Sequence, residues 1–518
     1  MKKTLSFIAL FGFAVVFAQT AANLTEFKEN IAKQKVEAKK ALKPFRYDGS
    51  KVTYFNFKTY KQVKEVEIYL FNNTDYRFSF NGKSLPNDVN IKIFDDFFND
   101  YQGEKPGASV IVIKDGEIAF LRSYGYADLE NKIPATPKTN YRIASVTKQF
   151  TAVAIMILIY QDKLDYETSL TEIFPEFPQY GTEIKVKHLL THRSGLVKYN
   201  RFIEEDRTEQ MLDKDVLNGL LETDSTYFAP GTKFSYSNTG YAVLAQIIEK
   251  RSGVSFSEFM AREVFQPLNM TASTILEGDK EISNRAFGYL VNGTEITAKD
   301  QSLTSAIQGD GGVYTSVLDY YEWDKALYTD ALLPQASLSE AFCGYDENGK
   351  SDDSGYGYGW NVRYDKGVKI LEHGGSSTGF GSHVIRIPGK RISVAIFTNR
   401  NKKGRELSNK AKALISHFSE GEFQMPFEVI LEREIDKNGI ISGLKLFNDN
   451  KKDTANYSVS EGAFFSLAVA YFNDDQNEVA FELFEQLIKD HPAYFGGYYG
   501  KALVYYERRK KRQSIKYF

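Results

Sequence analysis

The chain has 518 residues, of which 42% are hydrophobic and 25% are charged, a composition typical of folded globular proteins rather than disordered ones. Its length exceeds that of one ordinary domain, so two or more domains are expected. The formal net charge of −2 excludes the strongly basic character of an electrostatic nucleic-acid binder, and no nucleic-acid partner is predicted.

The first 18 residues have the pattern of a secretory signal peptide. Lys2 and Lys3 give a positive start, residues 5–17 form an apolar run, and Val16-Phe-Ala18 is a small-residue cleavage site,. The run is too short to span a membrane, and no later segment is long and apolar enough to do so. We therefore predict a secreted or periplasmic protein without a membrane span; the alternative is a buried N-terminal helix.

Residues 19–91 are predicted to form an N-terminal helix and a small β module. Residues 19–45 are charged and helix-forming, whereas alternating apolar residues at Val66–Leu70 and Tyr76–Phe80, with a turn at Asn81-Gly82, favour strands,. The segment carries no recognisable chemistry. We interpret it as a docking flap or a spacer.

Residues 92–418 have a mixed α+β pattern. Strands are predicted at Ala108–Ile113 and Ala119–Tyr124, a long apolar helix after Ser145, a hairpin with strands His383–Ile387 and Ile392–Phe397, and a closing helix at Leu407–Phe418,. This order predicts an antiparallel sheet flanked by helices, with its first and last strands adjacent, and an all-helical subdomain between them.

The C-terminal part is predicted to comprise a linker at 419–459 and a helical tail at 460–518. Apolar residues in the tail fall on the spacing of a tetratricopeptide repeat and partly recur 34 residues later: Phe464, Leu467, Ala468, Tyr471, Ala480, Phe484 and Pro492,. Fewer than two complete repeats cannot bury their own faces. The tail is thus a candidate site for a protein partner; the plainer interpretation is a helical hairpin.

The first chemical motif is Ser145-Val-Thr-Lys148. Ser145 opens the long helix, and Lys148 lies three residues on, on the same helical face,. A lysine in this position can accept the serine proton if burial and nearby positive charge keep it neutral. The same S-x-x-K pattern recurs at Ser442–Lys445 without a predicted helical setting. An N-capping serine with a solvated lysine is the alternative for either copy.

The second and third motifs are Tyr236-Ser-Asn238 and His373-Gly-Gly375. Tyr236 follows a turn at Pro230-Gly231 and a predicted strand Lys233–Ser235; it can relay a proton, while Asn238 can hold Lys148 and a substrate amide or cap a helix predicted at Tyr241–Lys250. The two glycines after strand Val368–Leu371 allow close approach of a ligand to backbone N–H groups,. His373 can donate to a substrate, orient Tyr236, or be structural.

Taken in order, these motifs resemble the serine β-lactamase-like hydrolases, which include class C β-lactamases, D-Ala-D-Ala carboxypeptidases, esterases and D-amino-acid peptidases. The resemblance spans about residues 90–418 and includes Leu189-Leu-Thr-His-Arg-Ser-Gly195-Leu, Phe228-Ala-Pro-Gly231 and Gly309-Asp-Gly-Gly312. It implies the β-lactamase and penicillin-binding-protein fold.

The resemblance also implies roles for individual residues. Ser145 would be the acylated nucleophile, Lys148 its base partner and Tyr236 the general acid and base. Asn238, His373 and Gly375 would position substrate, and the backbone N–H groups of Ser145 and Ser376 would form the oxyanion hole. His192, in the Thr-His-Arg-Ser-Gly stretch, is interpreted as structural.

The third motif departs from the penicillin-hydrolysing pattern, in which Lys-Thr-Gly helps to hold the substrate carboxylate. His373-Gly-Gly375 offers neither the lysine nor the hydroxyl, so we expect a peptidase or esterase acting on D-amino-acid or peptidoglycan-type peptides or small esters. A β-lactamase is the enzymatic alternative. A catalytically idle binding protein is the alternative of another class.

No metal or cofactor is predicted. The six histidines are scattered, and His188 and His192, although four residues apart, lack the glutamate of the H-E-x-x-H zinc motif. The single cysteine, Cys343, excludes an intramolecular disulfide and is interpreted as a passive thiol.

Overall fold

The computed structural model describes residues 4–7, 66–69 and 92–515, apart from 279, 347, 352–353, 366, 402–405, 420–422 and 454–456. In the N-terminal part, Thr4–Phe7 pairs antiparallel with Val66–Tyr69, so the strand predicted at Val66 is present. The rest of the predicted signal peptide, the helix at 19–45, the strand at Tyr76 and the turn at Asn81-Gly82 lie outside the described residues.

Short strands and helices alternate along the described chain. The strands are β1 (Thr4–Phe7), β2 (Val66–Tyr69), β3 (Ala108–Lys114), β4 (Glu117–Tyr124), β5 (Tyr126–Asp128), β6 (Ile133–Pro134), β7 (Tyr141–Arg142), β8 (Thr274–Ile275), β9 (Tyr289–Asn292), β10 (Glu295–Ala298), β11 (Val313–Thr315), β12 (Gly344–Asp346), β13 (Gly349–Ser351), β14 (Gly355–Tyr356), β15 (Asn361–Asp365), β16 (Val368–Ser377), β17 (Phe380–Ile387), β18 (Ile392–Thr398), β19 (Met425–Pro426) and β20 (Tyr457–Ser458). The described α-helices are α1 (Thr147–Tyr160), α2 (Leu170–Ile173), α3 (Val186–Leu190), α4 (Asp213–Leu221), α5 (Asn238–Ser252), α6 (Phe256–Met260), α7 (Val317–Ala326), α8 (Gln335–Leu338), α9 (Glu406–Phe418), α10 (Phe427–Asn438), α11 (Ile440–Asn450), α12 (Glu461–Asn473), α13 (Asn477–Asp490) and α14 (Phe495–Ile515).

A nine-stranded antiparallel sheet forms the framework, in the order β13-β12-β14-β15-β16-β17-β18-β3-β4. The predicted adjacency of the first and last strands is confirmed, because β3 pairs with β18 from Ala108 opposite Thr398 to Lys114 opposite Ile392. The β3–β4 hairpin turns at Asp115 and Gly116, both with positive φ (55° and 83°), which suits the right-handed twist of paired strands.

Helix α1 is the central helix of the main core. Its residues from Thr147 to Leu158 are buried; those from Ala152 onward are all apolar and have no polar face to present to water. It packs in one continuous apolar cluster with residues of β3, α5 and α7, among them Ile111, Val243 and Trp323. This rigid setting fixes the residues at its N-terminus.

The C-terminal helices α10 to α14 surround a second apolar cluster, which includes Phe427, Leu431, Phe447, Phe464 and Leu467. Residues 419–459, expected to be a linker, thus contain two helices that contribute to this core, because their apolar residues recur at helical spacing. Two polar contacts join α10 to α9: Asn409 with Glu432, and Lys412 with Glu428 at 3.8 Å. The predicted tail is helical, and its assignment as a tetratricopeptide repeat stays a prediction.

Three local predictions were wrong. Residues 233–235 are irregular rather than a strand; the backbone N–H of Ser235 bonds only the His192 carbonyl across the loop, at 2.9 Å. The following helix begins at Asn238 with Ser237 as its N-cap. The second S-x-x-K lies inside a helix, α11, where Ser442 donates to Glu434.

Within the described part of the chain, no helix is both long enough and apolar enough to cross a membrane.

Candidate active site

Ser145 lies at the junction between strand β7 and helix α1, within a 3₁₀ turn at Ala144–Val146. Ala144 has a positive φ of 48°, a conformation that costs free energy in a non-glycine residue and is common where a functional side chain must be presented. Ser145 is partly exposed, whereas its neighbours on both sides are buried. The turn therefore presents one hydroxyl to solvent at a helix N-terminus.

Lys148 is fully buried beneath Ser145. Its Nζ lies 3.3 Å from Ser145 Oγ and donates to the carbonyl oxygen of Asp310 at 2.8 Å. Aromatic rings cover it, with the centroids of Tyr236 and Tyr241 at 5.0 Å and 5.4 Å from Nζ. The lysine is thus held in one position against the serine, as the S-x-x-K spacing predicted.

Polar contacts continue from Lys148 to Asp310 and Tyr199. The Asp310 carboxylate accepts a hydrogen bond from Tyr199 Oη at 3.1 Å. Burial raises the pKa of Asp310, against the lowering effect of Lys148 and Arg142. The structure therefore connects Tyr199 to Lys148 through Asp310, and Asn238 is the first residue of α5.

Tyr236 lies at the mouth of the site, 39% exposed, with its ring packed against buried His192. The two ring centroids are 4.2 Å apart, with the ring planes tilted by 42°, and His192 Nδ1 accepts the Ser237 N–H at 3.1 Å. Burial, followed by the electrostatic effects of Lys148 and His373, lowers the pKa of His192 well below its usual value. His192 is therefore a neutral support beneath Tyr236.

His373 lies within strand β16 rather than after it, and both of its ring nitrogens have partners. Nδ1 is 2.9 Å from the Gly374 carbonyl oxygen, which can only accept, so Nδ1 carries a proton. Nε2 lies 3.0 Å from Tyr356 Oη. The ring centroid of His373 is 6.1 Å from that of Tyr236.

Gly375 brings strand β16 against the segment that leads to Ser145. A Cβ atom at this position would lie 2.3 Å from the Ile143 carbonyl oxygen and 2.2 Å from Ser382 Oγ. Ser382 Oγ also donates to the Ile143 carbonyl at 2.6 Å. Only glycine permits this approach, and exposed Ser376 follows directly at the edge of the site.

Comparison with known proteins agrees with this geometry. The family model described as Beta-lactamase matches residues 94–417. The chain belongs to the Beta-lactamase family. As a member of this family it is a serine hydrolase of the β-lactamase and DD-peptidase type.

Individual relatives of this Beta-lactamase family member cover different shares of it. Penicillin-binding protein 4* of Bacillus subtilis is 31% identical over 65% of this chain and 76% of its own length. A D-aminopeptidase of Gluconobacter oxydans is 27% identical, over 57% of this chain and 56% of its own length. Among solved structures, the octameric penicillin-binding protein homologue from Pyrococcus abyssi has a TM-score of 0.56 and 27% identity, over 67% of this chain and 81% of that one.

The fold of this Beta-lactamase family member places the predicted residues and several unpredicted ones together. Sequence reasoning gave no role to Tyr199, Tyr241, Asp310 or Tyr356. Asp310 lies in the Gly309–Gly312 motif, which could have indicated that it belongs to the site. Tyr199 and Tyr356 stand in no motif. Among the described residues, no three His, Cys, Asp or Glu side chains are grouped to hold a metal ion.

Proposed function

We propose that this protein hydrolyses amide or ester bonds through an acyl-enzyme on Ser145. One observation carries the proposal: fully buried Lys148 Nζ lies 3.3 Å from Ser145 Oγ, within reach of the serine proton. Its fixed position between Ser145 and the Asp310 carbonyl lets a nucleophile and a base partner act together without reorganisation.

The proton is conserved through both steps. Serine Oγ forms a bond to the substrate carbonyl carbon as its proton passes to Lys148 or Tyr236. Collapse of the tetrahedral intermediate breaks the C–N or C–O bond, and the leaving group takes that proton. Water then attacks the acyl-enzyme by the same route, which releases the acid and returns the proton to Ser145.

Charge that develops on the substrate oxygen requires hydrogen-bond donors. We assign this role to the backbone N–H groups of Ser145 and Ser376. The contact of Gly375 with the Ile143 carbonyl supports the assignment, since it brings the two chain segments together. Asn238, at the start of α5, would hold the substrate amide.

The third motif supports a substrate recognised without a cationic side chain. The ring of His373 is buried, and its two nitrogens lie within hydrogen-bond distance of the Gly374 carbonyl and the Tyr356 hydroxyl. The third motif therefore offers a substrate carboxylate neither a lysine nor a hydroxyl of its own. D-amino-acid peptides of peptidoglycan type and small esters are therefore the proposed substrates, ahead of β-lactam hydrolysis, and relatives include a D-aminopeptidase.

The signal-peptide pattern of residues 1–18 supports secretion or a periplasmic location. The helical tail at 460–518 is proposed as a contact site for a protein partner. No cofactor enters the mechanism.

Two covalent probes test the proposal. The purified protein and Ser145→Ala are incubated with a fluorescent penicillin and, separately, with a fluorophosphonate, and adducts are located by peptide mass spectrometry. Labelling of Ser145 by both probes, or by fluorophosphonate alone, supports an acyl-enzyme; the second pattern favours a peptidase or esterase. A folded protein that neither probe labels would instead be a catalytically idle binding protein.

A further inference from the structure

Asp213, the first residue of helix α4, is a buried carboxylate outside the predicted motifs. It is 5% exposed, and both of its oxygens accept backbone hydrogen bonds. Oδ2 lies 2.7 Å from the Gln308 N–H nitrogen and Oδ1 lies 3.1 Å from that of Gly309. The Asp213 side chain thus accepts hydrogen bonds from two successive peptide groups of the turn that leads to Asp310.

The same turn is tied to helix α1 on its other side. Thr151 Oγ1 donates to the Gly309 carbonyl at 2.8 Å, and Lys148 Nζ donates to the Asp310 carbonyl at 2.8 Å. A Cβ atom at Gly309 would lie 2.2 Å from the Tyr241 carbonyl oxygen. The turn at 308–310 is therefore held by contacts with α4, α1 and α5. Lys148 is hydrogen-bonded to the last carbonyl of this turn.

Burying the ionisable side chain of Asp213 in this position is unfavourable for the free energy of folding. Burial, together with the negative charges of Asp310 and Glu249, raises the pKa of Asp213 to about 8, although the two backbone N–H groups lower it. Burial of an ionisable group is unfavourable unless its hydrogen bonds compensate. The compensation here comes from the two N–H groups of the turn, so the carboxylate and the turn stabilise each other.

We infer that Asp213 is a positioning residue for the proposed reaction: it fixes the 308–310 turn and, through the Asp310 carbonyl, holds Lys148 Nζ against Ser145. The inference rests on the proposed role of Lys148 as the base partner. Asp213 itself contacts neither Lys148 nor Ser145; it acts through the turn. Asparagine would accept only one of the two N–H bonds, since its amide nitrogen is a donor.

Asp319 offers a matched control. It is likewise a buried carboxylate in the first turn of a helix, α7, and its Oδ2 accepts the N–H groups of Ala272 and Ser273 at 2.9 Å and 2.8 Å. The segment that it holds does not bond Lys148. Asp319→Asn removes the charge of a buried first-turn carboxylate, while its amide oxygen can still accept both N–H bonds,. It therefore controls for the loss of that charge without loosening the lysine.

The test compares wild type, Asp213→Asn, Asp319→Asn and Thr151→Val in the full chain. We expect the rate constant for phosphonylation of Ser145 by the fluorophosphonate to fall about 10- to 100-fold in Asp213→Asn, since a misplacement of about 1 Å costs about this much. Probe affinity should change far less than the rate constant. Thr151→Val, which loosens the turn from the other side, should lower the rate less, and Asp319→Asn should stay within about twofold of wild type.

An unchanged phosphonylation rate in folded Asp213→Asn, or equal losses in Asp213→Asn and Asp319→Asn, would overturn the inference. If Asp213→Asn does not fold, Thr151→Val provides the test, because it removes the hydrogen bond that holds the 308–310 turn from the side of α1. Crystal structures of wild type and variant give a readout that does not require activity. If wild type is not labelled, the proposed function fails, whereas the positioning role still stands or falls on whether Lys148 Nζ moves away from Ser145 Oγ.

Discussion

Tyr356 Oη lies 3.0 Å from His373 Nε2, and both side chains are buried. Tyr356 is in β14 and His373 in β16, with β15 between them in the sheet. With Nδ1 bonded to the Gly374 carbonyl, both ring nitrogens have partners within the protein. The side chain of the third motif is thereby directed into the protein.

Tyr356→Phe should lower the free energy of unfolding by about 1–3 kcal/mol, because it removes a buried hydrogen bond to His373,. Denaturant titration measures this loss. A double-mutant cycle with His373→Phe should give a coupling free energy of about 1 kcal/mol. If the two single substitutions change the free energy of unfolding additively, the contact contributes nothing to stability.

Lys148→Met should reduce the acylation rate of Ser145 about 100- to 10,000-fold, the range expected for loss of a positioned base. Ser145→Ala should abolish labelling without unfolding the protein. The second S-x-x-K is the control: Ser442→Ala and Lys445→Met in α11 should leave the rate at the wild-type value. Labelling of Lys148→Met at that value would remove the lysine from the mechanism.

Gly375→Ala should destabilise the protein by about 1–3 kcal/mol, as expected for overpacking, because the new methyl group would lie 2.3 Å from the Ile143 carbonyl oxygen and 2.2 Å from Ser382 Oγ. It should also slow acylation by displacing Ser376. Gly389→Ala is the control, since nothing lies within 4 Å of the corresponding position. Equal melting temperatures for the two variants would contradict this account.

The contribution of His188 to stability should depend on pH. Burial, followed by the charge of Lys187, lowers the pKa of His188 to about 4 from the usual 6.5. Between these values the unfolded chain binds a proton that the folded chain does not, so the contribution is lost as pH falls from about 6.5 to about 4. Other groups titrate in this range, so the measurement is a difference between wild type and His188→Gln.

The difference in unfolding free energy between wild type and His188→Gln should therefore increase from pH 4 to pH 6.5 and stay level from there to pH 7.5. Urea titrations at four pH values across this range are sufficient. A difference that is constant with pH would show that His188 is protonated equally in both states.

Removal of the complete set of C-terminal helices should spare Ser145 labelling. The position of the truncation decides whether the remaining chain is soluble. Truncation after residue 459 leaves Phe427 and Phe447 without their partner Phe464 and should cause aggregation. Truncation after residue 424 removes that core as a unit. Loss of labelling in the folded shorter form would show that these helices shape the site.

Local sequence predicted the sheet hairpins and the central helix well. Ala108–Ile113 and Ile392–Phe397 are continuous apolar runs beside turn residues, and both are strands of the observed sheet. Lys233–Ser235 has only one apolar residue, and it forms no strand because no strand in the described part of the chain pairs with it. The start of α5 was misplaced because two capping residues, Ser237 and Asn238, stand side by side and only the tertiary setting selects Ser237.

By itself, the sequence determined the family, the pairing of Ser145 with Lys148, and the main strands and helices of the sheet domain, since these depend on motifs and periodicities within a few residues. Only the tertiary structure decided what holds Lys148: the Asp310 carbonyl, the rings of Tyr236 and Tyr241, and the turn gripped by Asp213. It also decided that His373 faces Tyr356. These contacts join residues far apart in the chain, and a backbone carbonyl used as an acceptor has no side-chain identity by which a sequence could reveal it.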